Sequence, residues 1–343
     1  MGREIILKKN NYKRKYNVKM NLTVLIPTFN REKGLKNLLE NLYSQGHIGE
    51  YKIVISDNHS DYDVRKMIDD NFDKSFSEII TVNKWNFNVG MSSNISISYL
   101  LVDTRWCWCI SDDDKVLDGS IDTVLSDIKK FDNENITAVK YSLLNKVQHE
   151  NRYINSFDDF LNYYSVKSRR GELYYLSMLY NMDNIRPYLG LLTEHSYTYI
   201  SFLIPLLKGL LDGKRFFVSS RPCIEYSERA DDNWSAKRYV NVMLGVRTFA
   251  DIDFNISAKW QRKLLKVISQ NLPLIRITGK ITQQKTFFRR RLLWKNSYFM
   301  YKRNANVFMR LLCYILFVTN FDLYGLCRKI YYRHINKKAG VRI

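Results

Sequence analysis

The chain has 343 residues and a mass of 40.9 kDa, enough for one large domain with appendages or for two domains. With 45% hydrophobic residues, 26% charged residues and only 5 prolines and 14 glycines, it is not disordered, collagen-like or a disulfide-stapled miniature. The formal charge of +20 is lopsided: residues 254–343 hold twenty Lys and Arg against one acid, Asp322, while the first 253 residues are close to neutral.

Five cysteines form no evenly spaced framework, and the opening MGREIILKKN has no apolar stretch long enough for a secretory signal, so a reducing cytoplasm is expected. Ile6 stands where N-myristoylation needs Ser or Thr. From Asn21 to about Leu144, short β-branched runs alternate with helical patterns, which predicts parallel βαβ units. Thr23 to Ile26 reads as a buried strand, followed by a helix whose Leu35, Leu38, Leu39 and Leu42 recur at i, i+3, i+4 and i+7. Tyr51 to Ser56 is a second strand, Val64 to Asn71 a weaker helix, and Ile79 to Val82 a third strand. Asn86 to Asn94 is a turn feeding a helix, and Trp106 to Ile110 is a strand that ends at Ser111-Asp112-Asp113-Asp114. Cys107 and Cys109 share one face of it as small core residues, and Trp106, Trp108 and Trp85 read as core before they read as a stacking surface.

Polar residues cluster where strands finish. In open α/β sheets ligands bind at the carboxyl ends of strands, so Thr28 to Arg31, Asp57-Asn58 and Asp112 to Asp114 are expected to converge on one crevice. No dinucleotide or P-loop glycine motif follows the first strand. Three adjacent carboxylates resist desolvation unless a cation sits among them, and Mn²⁺ or Mg²⁺ completed by substrate phosphates answers that need. The alternative is an acidic turn that caps the helix expected from Asp118.

Thr23 to Arg31 (TVLIPTFNR), Ile53 to Ser60 (IVISDNHS), Asn88 to Asn94 (NVGMSSN) and Cys109 to Asp114 (CISDDD) resemble the four ordered blocks of family-2 glycosyltransferases with the GT-A fold. The resemblance implies an α/β fold with a mostly parallel central sheet and flanking helices. It also implies a nucleotide-diphosphate sugar donor, a divalent metal, and displacement with inversion at the sugar carbon. Carried over by position, Pro27, Thr28, Asn30, Arg31, Asp57 and Asn58 would serve the nucleotide, with Asp57 on the base. Asn88, Gly90 and Asn94 would line the nucleotide–sugar crevice, Asp112 and Asp113 would face ribose and sugar, and Asp114 would ligate the metal with Asp112.

An acceptor hydroxyl needs a general base. In the segment 146–253, expected to form the acceptor half beside a donor half at 21–145, Glu194 is the first choice and His195 a metal ligand or acceptor contact. A satisfied helix-start histidine is the alternative for His195. The cluster Arg229 to Ser235 resembles a segment of surface-polysaccharide transferases and would place Arg229, Asn233 and Trp234 at the acceptor, with Asp231 or Asp232 as a second candidate base. Alternatively, Asp232-Asn233 caps a helix beginning near Ala236.

Residues 1–20 read as an extension and 254–343 as a helical, basic, aromatic region. Its apolar run, Leu311 to Val318, is too short to span a bilayer, which takes about 20 residues. A helix lying in an anionic membrane surface fits the interleaved aromatics and charges, and a helical subdomain with a solvated basic face is the alternative. The expected activity is sugar transfer onto a lipid-linked oligosaccharide for O-antigen or capsule, at the inner face of the cytoplasmic membrane. A competing class, nucleic-acid binding through the basic tail, has no RNP-like, zinc-finger or helix-turn-helix signature behind it, so no nucleic-acid partner is expected. A non-catalytic sugar-nucleotide binder would keep Asp57 and Asp114 but lack a base.

Overall fold

The computed structural model of the protein describes residues 20–144, 150–165, 176, 178–225, 236–270, 274–283, 288, 290–295, 307–321, 323 and 326. In chain order the first elements are β1 (Leu22–Thr28), α1 (Glu32–Ser44), β2 (Tyr51–Asp57), α2 (Val64–Asn71), α3 (Lys74–Ser77), β3 (Ile80–Lys84), α4 (Met91–Ser98) and β4 (Trp106–Cys109). Then come β5 (Lys115–Val116), α5 (Ser120–Phe131), β6 (Ile136–Leu144), β7 (Arg152–Ile154), α6 (Phe157–Ser165), β8 (Met178–Asn181), α7 (Met182–Ile185), α8 (Leu189–Glu194), α9 (Ile204–Leu211) and β9 (Arg215–Glu225). Four more helices follow: α10 (Ala236–Thr248), α11 (Ala258–Gln270), α12 (Leu274–Thr282) and α13 (Val307–Val318).

The expected α/β architecture is present. Strands β3, β2, β1 and β4 lie side by side and parallel, β8 adds antiparallel to β4, and β6, β9 and β5 complete the path. Both faces are covered, which explains why the strands are apolar at nearly every position. Val24, Ile26, Ile53, Ile55, Trp106 and Trp108 point to the face where α1, α2 and α5 bury Leu35, Leu38, Leu39, Val64, Ile68, Val124 and Phe131. Leu25, Val54, Cys107 and Cys109 point the other way, into a core shared with α6, α9 and the later helices. Truncating one of the α1 leucines, such as Leu38→Ala, removes wholly buried volume and is expected to cost about 2–5 kcal/mol.

The C-terminal helices belong to that second core. Leu264 of α11, Ile277 of α12 and Cys313 of α13 are buried in it, and Trp294 stacks on Phe317 with ring centroids 4.7 Å apart. Among the described residues no helix is long and apolar enough to cross a membrane.

Candidate active site

Parallel register sets Thr28, the last residue of β1, beside Asp57, the last of β2. The acidic turn after β4 folds onto this edge. The Thr28 hydroxyl donates to Asp112 Oδ2 at 2.8 Å, and Arg31 Nη1 donates to Asp112 Oδ1 at 2.6 Å and lies 3.2 Å from Asp113 Oδ1. The cation among the carboxylates is therefore a side chain of the chain itself. Arg31 occupies the N-cap of α1, where Ser, Thr or Asp is usual, and makes no capping bond. Its guanidinium serves the acidic turn instead. Burial pushes the Asp112 carboxyl above the usual carboxylate range, and the Arg31 charge pulls against that shift.

The helix-cap alternative does not hold for these acids. β5 intervenes before α5, whose cap position is Gly119 at φ +72° with no side-chain cap bond. The turn is closed internally, since Ser111 N donates to Asp114 Oδ2 at 2.8 Å and the Ser111 hydroxyl donates to Asp113 Oδ1. The first turn of α1 presses on it: a Cβ on Gly34 would lie 2.9 Å from the Asp112 carbonyl oxygen. A cavity of about 350 Å³ opens between Gly34, Asn37 and Asn41 of α1 and the stretch Asp113–Lys115.

The amides expected to touch a ligand are largely spent on bracing the rim. Asn58 Nδ2 donates to Asn88 Oδ1 at 2.9 Å, Asn58 Oδ1 accepts from Val89 N, and Asn88 Oδ1 also accepts from Gly90 N. Gly90 sits at φ +88°, a conformation that costs glycine little, and turns the chain into α4. Asn94 is buried, accepts from Ser56 Oγ at 2.7 Å and Trp85 Nε1 at 3.0 Å, and donates to the Ser56 carbonyl. Asn30, at φ +50°, exchanges bonds with Asp61 and Ser60. Pro27 is interior to β1. Of the tryptophans, Trp106 and Trp108 are core, and the Trp85 indole N–H is held by Ser56 and Asn94.

Two polar atoms stand out against this bracing. Asp57 is fully buried; its Oδ1 accepts from Ser60 N at 2.9 Å and its Oδ2 has no hydrogen-bond partner. A buried carboxylate oxygen left unpaired is costly unless a ligand supplies the donor. The Tyr62 hydroxyl is also buried, and burial, with the charges of Asp57, Asp112 and Glu32, pushes it well above the usual phenol range against the opposing pull of the Thr28 hydroxyl. Sequence reasoning passed over Tyr62. Its only signal was its position five residues after β2.

The expected metal set of Asp112, Asp114 and His195 is not assembled as such: no group of three His, Cys, Asp or Glu side chains suited to an ion occurs among the described residues. Asp112 is engaged by Thr28 and Arg31, and His195 Nδ1 lies 3.1 Å from the Tyr197 hydroxyl. Glu194 is exposed at the end of α8, which packs against α4. The following segment is tied to that helix, because the Ser92 hydroxyl donates to the Ser196 carbonyl and Ser96 and Ser201 hydroxyls are 2.9 Å apart. Arg229, Asp231, Asp232, Asn233 and Trp234 lie outside the described residues.

Residues 23–184 match the family described as glycosyl transferase family 2. No curated protein matches the sequence. Among solved structures, residues 1–349 of S. aureus TarS in complex with UDP-GlcNAc align with a TM-score of 0.60 at 14% identity over 92% of each chain. The same TarS fragment in another crystal structure gives 0.57, again at 14% identity and over 92% of each chain. A longer TarS structure gives 0.55 at 14% identity, over 88% of this chain and 53% of that one. The four strand-end blocks, the parallel strands that carry them and these likenesses lead to one conclusion: the chain is a glycosyltransferase of the GT-A fold whose residues 23–184 form its family-2 glycosyltransferase segment.

Proposed function

We propose that the protein is an inverting transferase that moves a sugar from a nucleoside-diphosphate donor to a lipid-linked oligosaccharide, in assembly of a surface polysaccharide such as O-antigen or capsule. The observation that carries the donor side is the unpaired Oδ2 of buried Asp57 inside an otherwise braced rim. A base with an imino N–H, as in uracil or guanine, would donate to it. TarS holds UDP-GlcNAc in the same fold, which makes UDP-sugars the first donors to try.

On this reading residues 21–145 bind the donor and residues 146–253 face the acceptor. Glu194 accepts the proton of the attacking hydroxyl, with Asp232 as the second candidate. The hydroxyl oxygen bonds to the anomeric carbon from the face opposite the diphosphate, and the sugar–phosphate C–O bond breaks with its electron pair leaving on the nucleoside diphosphate. Arg31 holds Asp112 and Asp113 in place beside that departing charge.

The donor set fits a substrate-completed ion better than an all-protein cage. Asp114, oriented by the Ser111 N–H, would hold Mn²⁺ or Mg²⁺ with the donor phosphates filling the remaining positions. Bound there, the ion would neutralise charge on the leaving diphosphate. His195 would serve the acceptor, along with Arg229, Asn233 and Trp234. The basic C-terminal region would keep the enzyme peripheral to the inner face of the cytoplasmic membrane, where such acceptors reside.

The test is a thermal-shift and turnover screen of nucleoside-diphosphate sugars with and without Mn²⁺, repeated on Asp57→Asn. A ligand that binds only the folded state raises its melting point. At least one donor should raise it and release nucleoside diphosphate. The reading fails if no donor binds, or if Asp57→Asn binds the effective donor as tightly as the parent.

A further inference from the structure

Helix α13, VFMRLLCYILFV, carries one charge in 12 residues. A helix apolar nearly all round belongs between two apolar surroundings. The fold supplies one of them: Met309, Cys313 and Phe317 pack on the protein core, and Leu316 on the same side is buried. The opposite stripe, Val307, Phe308, Leu311, Tyr314, Ile315 and Val318, follows the same helical spacing and stays open, with 72%, 73% and 60% exposure at Val307, Phe308 and Val318. The helical stretch 290–295 runs beside it, since Trp294 stacks on Phe317 and Arg290 Nη1 donates to Asn320 Oδ1 at 3.0 Å. Leu292 and the nearby Phe288 add further open apolar surface.

Soluble monomers rarely leave so continuous a stripe in water. Charge decides what covers it. The stripe lies in a region with twenty basic residues and one acid, including Arg290, Arg291, Lys295 and Arg310 close by. A second copy docked face to face would set two strongly cationic surfaces against each other. A nucleic acid would satisfy the charge but offers no place for Val307, Leu311, Ile315 and Val318. An anionic bilayer satisfies both, with acyl chains for the aliphatic side chains and headgroup phosphates for the guanidinium and ammonium groups. At 12 residues the helix is about 18 Å long, so it lies along the surface rather than crossing it.

We propose that α13 is the docking element of the protein, lying in the interface of an anionic phospholipid bilayer with Phe308, Leu311, Ile315 and Val318 among the acyl chains. The proposal rests on the membrane location in the reading above and names the surface responsible. It places the catalytic half above the bilayer, tethered through the same core that α13 completes.

The test is flotation of the full chain with vesicles of phosphatidylglycerol mixed with phosphatidylcholine, against vesicles of phosphatidylcholine alone. The unmodified chain should float with the anionic vesicles and far less with the neutral ones. The double variant Leu311→Glu/Ile315→Glu should bind anionic vesicles about tenfold or more weakly, because two apolar side chains no longer leave water. Its melting temperature and its turnover of a soluble donor should match the parent. Hydrogen exchange on the unmodified chain gives a second reading, in which anionic vesicles slow exchange across residues 307–321. Unchanged flotation of the double variant, or no slowing at 307–321, overturns the proposal. So does a dimer of the unmodified chain that the same substitutions break, or binding to RNA that they abolish. If the parent floats but turns over no donor, the catalytic reading fails and the docking stands; the converse result separates them the other way.

Discussion

In residues 20–144 the polar side chains at strand ends are bonded to one another: Thr28 and Arg31 to Asp112, Asn58 to Asn88, Ser56 and Trp85 to Asn94. In the helices after residue 253 the proportions reverse, with apolar side chains on both the buried and the open face of α13 and charge that is almost entirely of one sign. The first region spends its chemistry on holding a rigid edge around one unpaired carboxylate oxygen. The second leaves its surplus facing outward. Substitutions in the first should therefore change binding and turnover, and substitutions in the second should change packing or surface attachment.

The strongest challenge to that contrast is Asp114→Ala. On the proposed reading the variant loses a metal ligand and with it several kcal/mol of transition-state stabilisation, roughly a thousandfold in nucleoside-diphosphate release. Unchanged release in this variant would remove the acidic turn from the chemistry.

Next is Arg31→Met, which leaves Asp112 buried beside Asp113 without its cation. Breaking a buried pair costs about 3–5 kcal/mol, and because a third of the Arg31 side chain is exposed (33%) the expected loss is nearer 1–3 kcal/mol by denaturant unfolding. The pH dependence has a definite sign. Burial already raises the folded-state pKa of Asp112, and losing Arg31 raises it further, so ionisation at higher pH acts against the fold. The deficit of the variant should be greatest at neutral pH and shrink as pH falls through the folded-state pKa. The acid limb of its activity profile should move to higher pH.

Asp57→Asn is the isosteric probe of the unpaired oxygen. The new amide can keep the Ser60 N–H bond but turns an N–H toward the ligand's N–H, and nucleotide affinity by calorimetry should fall roughly 10–100-fold. Its melting temperature should not fall, because a buried charge has been removed. A pair of glycines, one in α1 and one in α10, sharpens the picture further. A Cβ on Gly245 of α10 would lie 2.4 Å from the Tyr197 carbonyl oxygen and 2.6 Å from the Tyr199 ring, so Gly245→Ala should cost about 1–3 kcal/mol of stability. Gly34→Ala meets only the Asp112 carbonyl at 2.9 Å and should register mainly in turnover. Equal effects of the two on both readouts would remove the link between the first turn of α1 and turnover.

Where structure follows from neighbours in the chain, the sequence was readable. The expected strand Thr23 to Ile26 sits inside Leu22–Thr28, the expected helix from Val64 to Asn71 is α2, and Cys107 and Cys109 do share one face opposite Trp106 and Trp108. Partnerships across long separations were not readable. Nothing local says that Arg31 will bond Asp112, 81 positions away. The bracing bonds of Asn58, Asn88 and Asn94 are not announced by the sequence, because an amide that braces a loop and one that grips a substrate have the same composition. Tyr62 was invisible because its packing against the core between the sheet and its helices is a tertiary contact. Glu194 could be placed beside α4 only once the Ser92–Ser196 bond was known.

The Asn58–Asn88 and Ser56–Asn94–Trp85 links carry one more implication, for kinetics. A rim already locked by internal bonds loses its freedom when the chain folds, so an arriving nucleotide has little left to immobilise. Capture of donor should then be governed by encounter rate and orientation, without a slow isomerisation of the Asn86–Asn94 turn. Free and donor-loaded forms should superpose closely there, leaving any rearrangement during the catalytic cycle to the acceptor side.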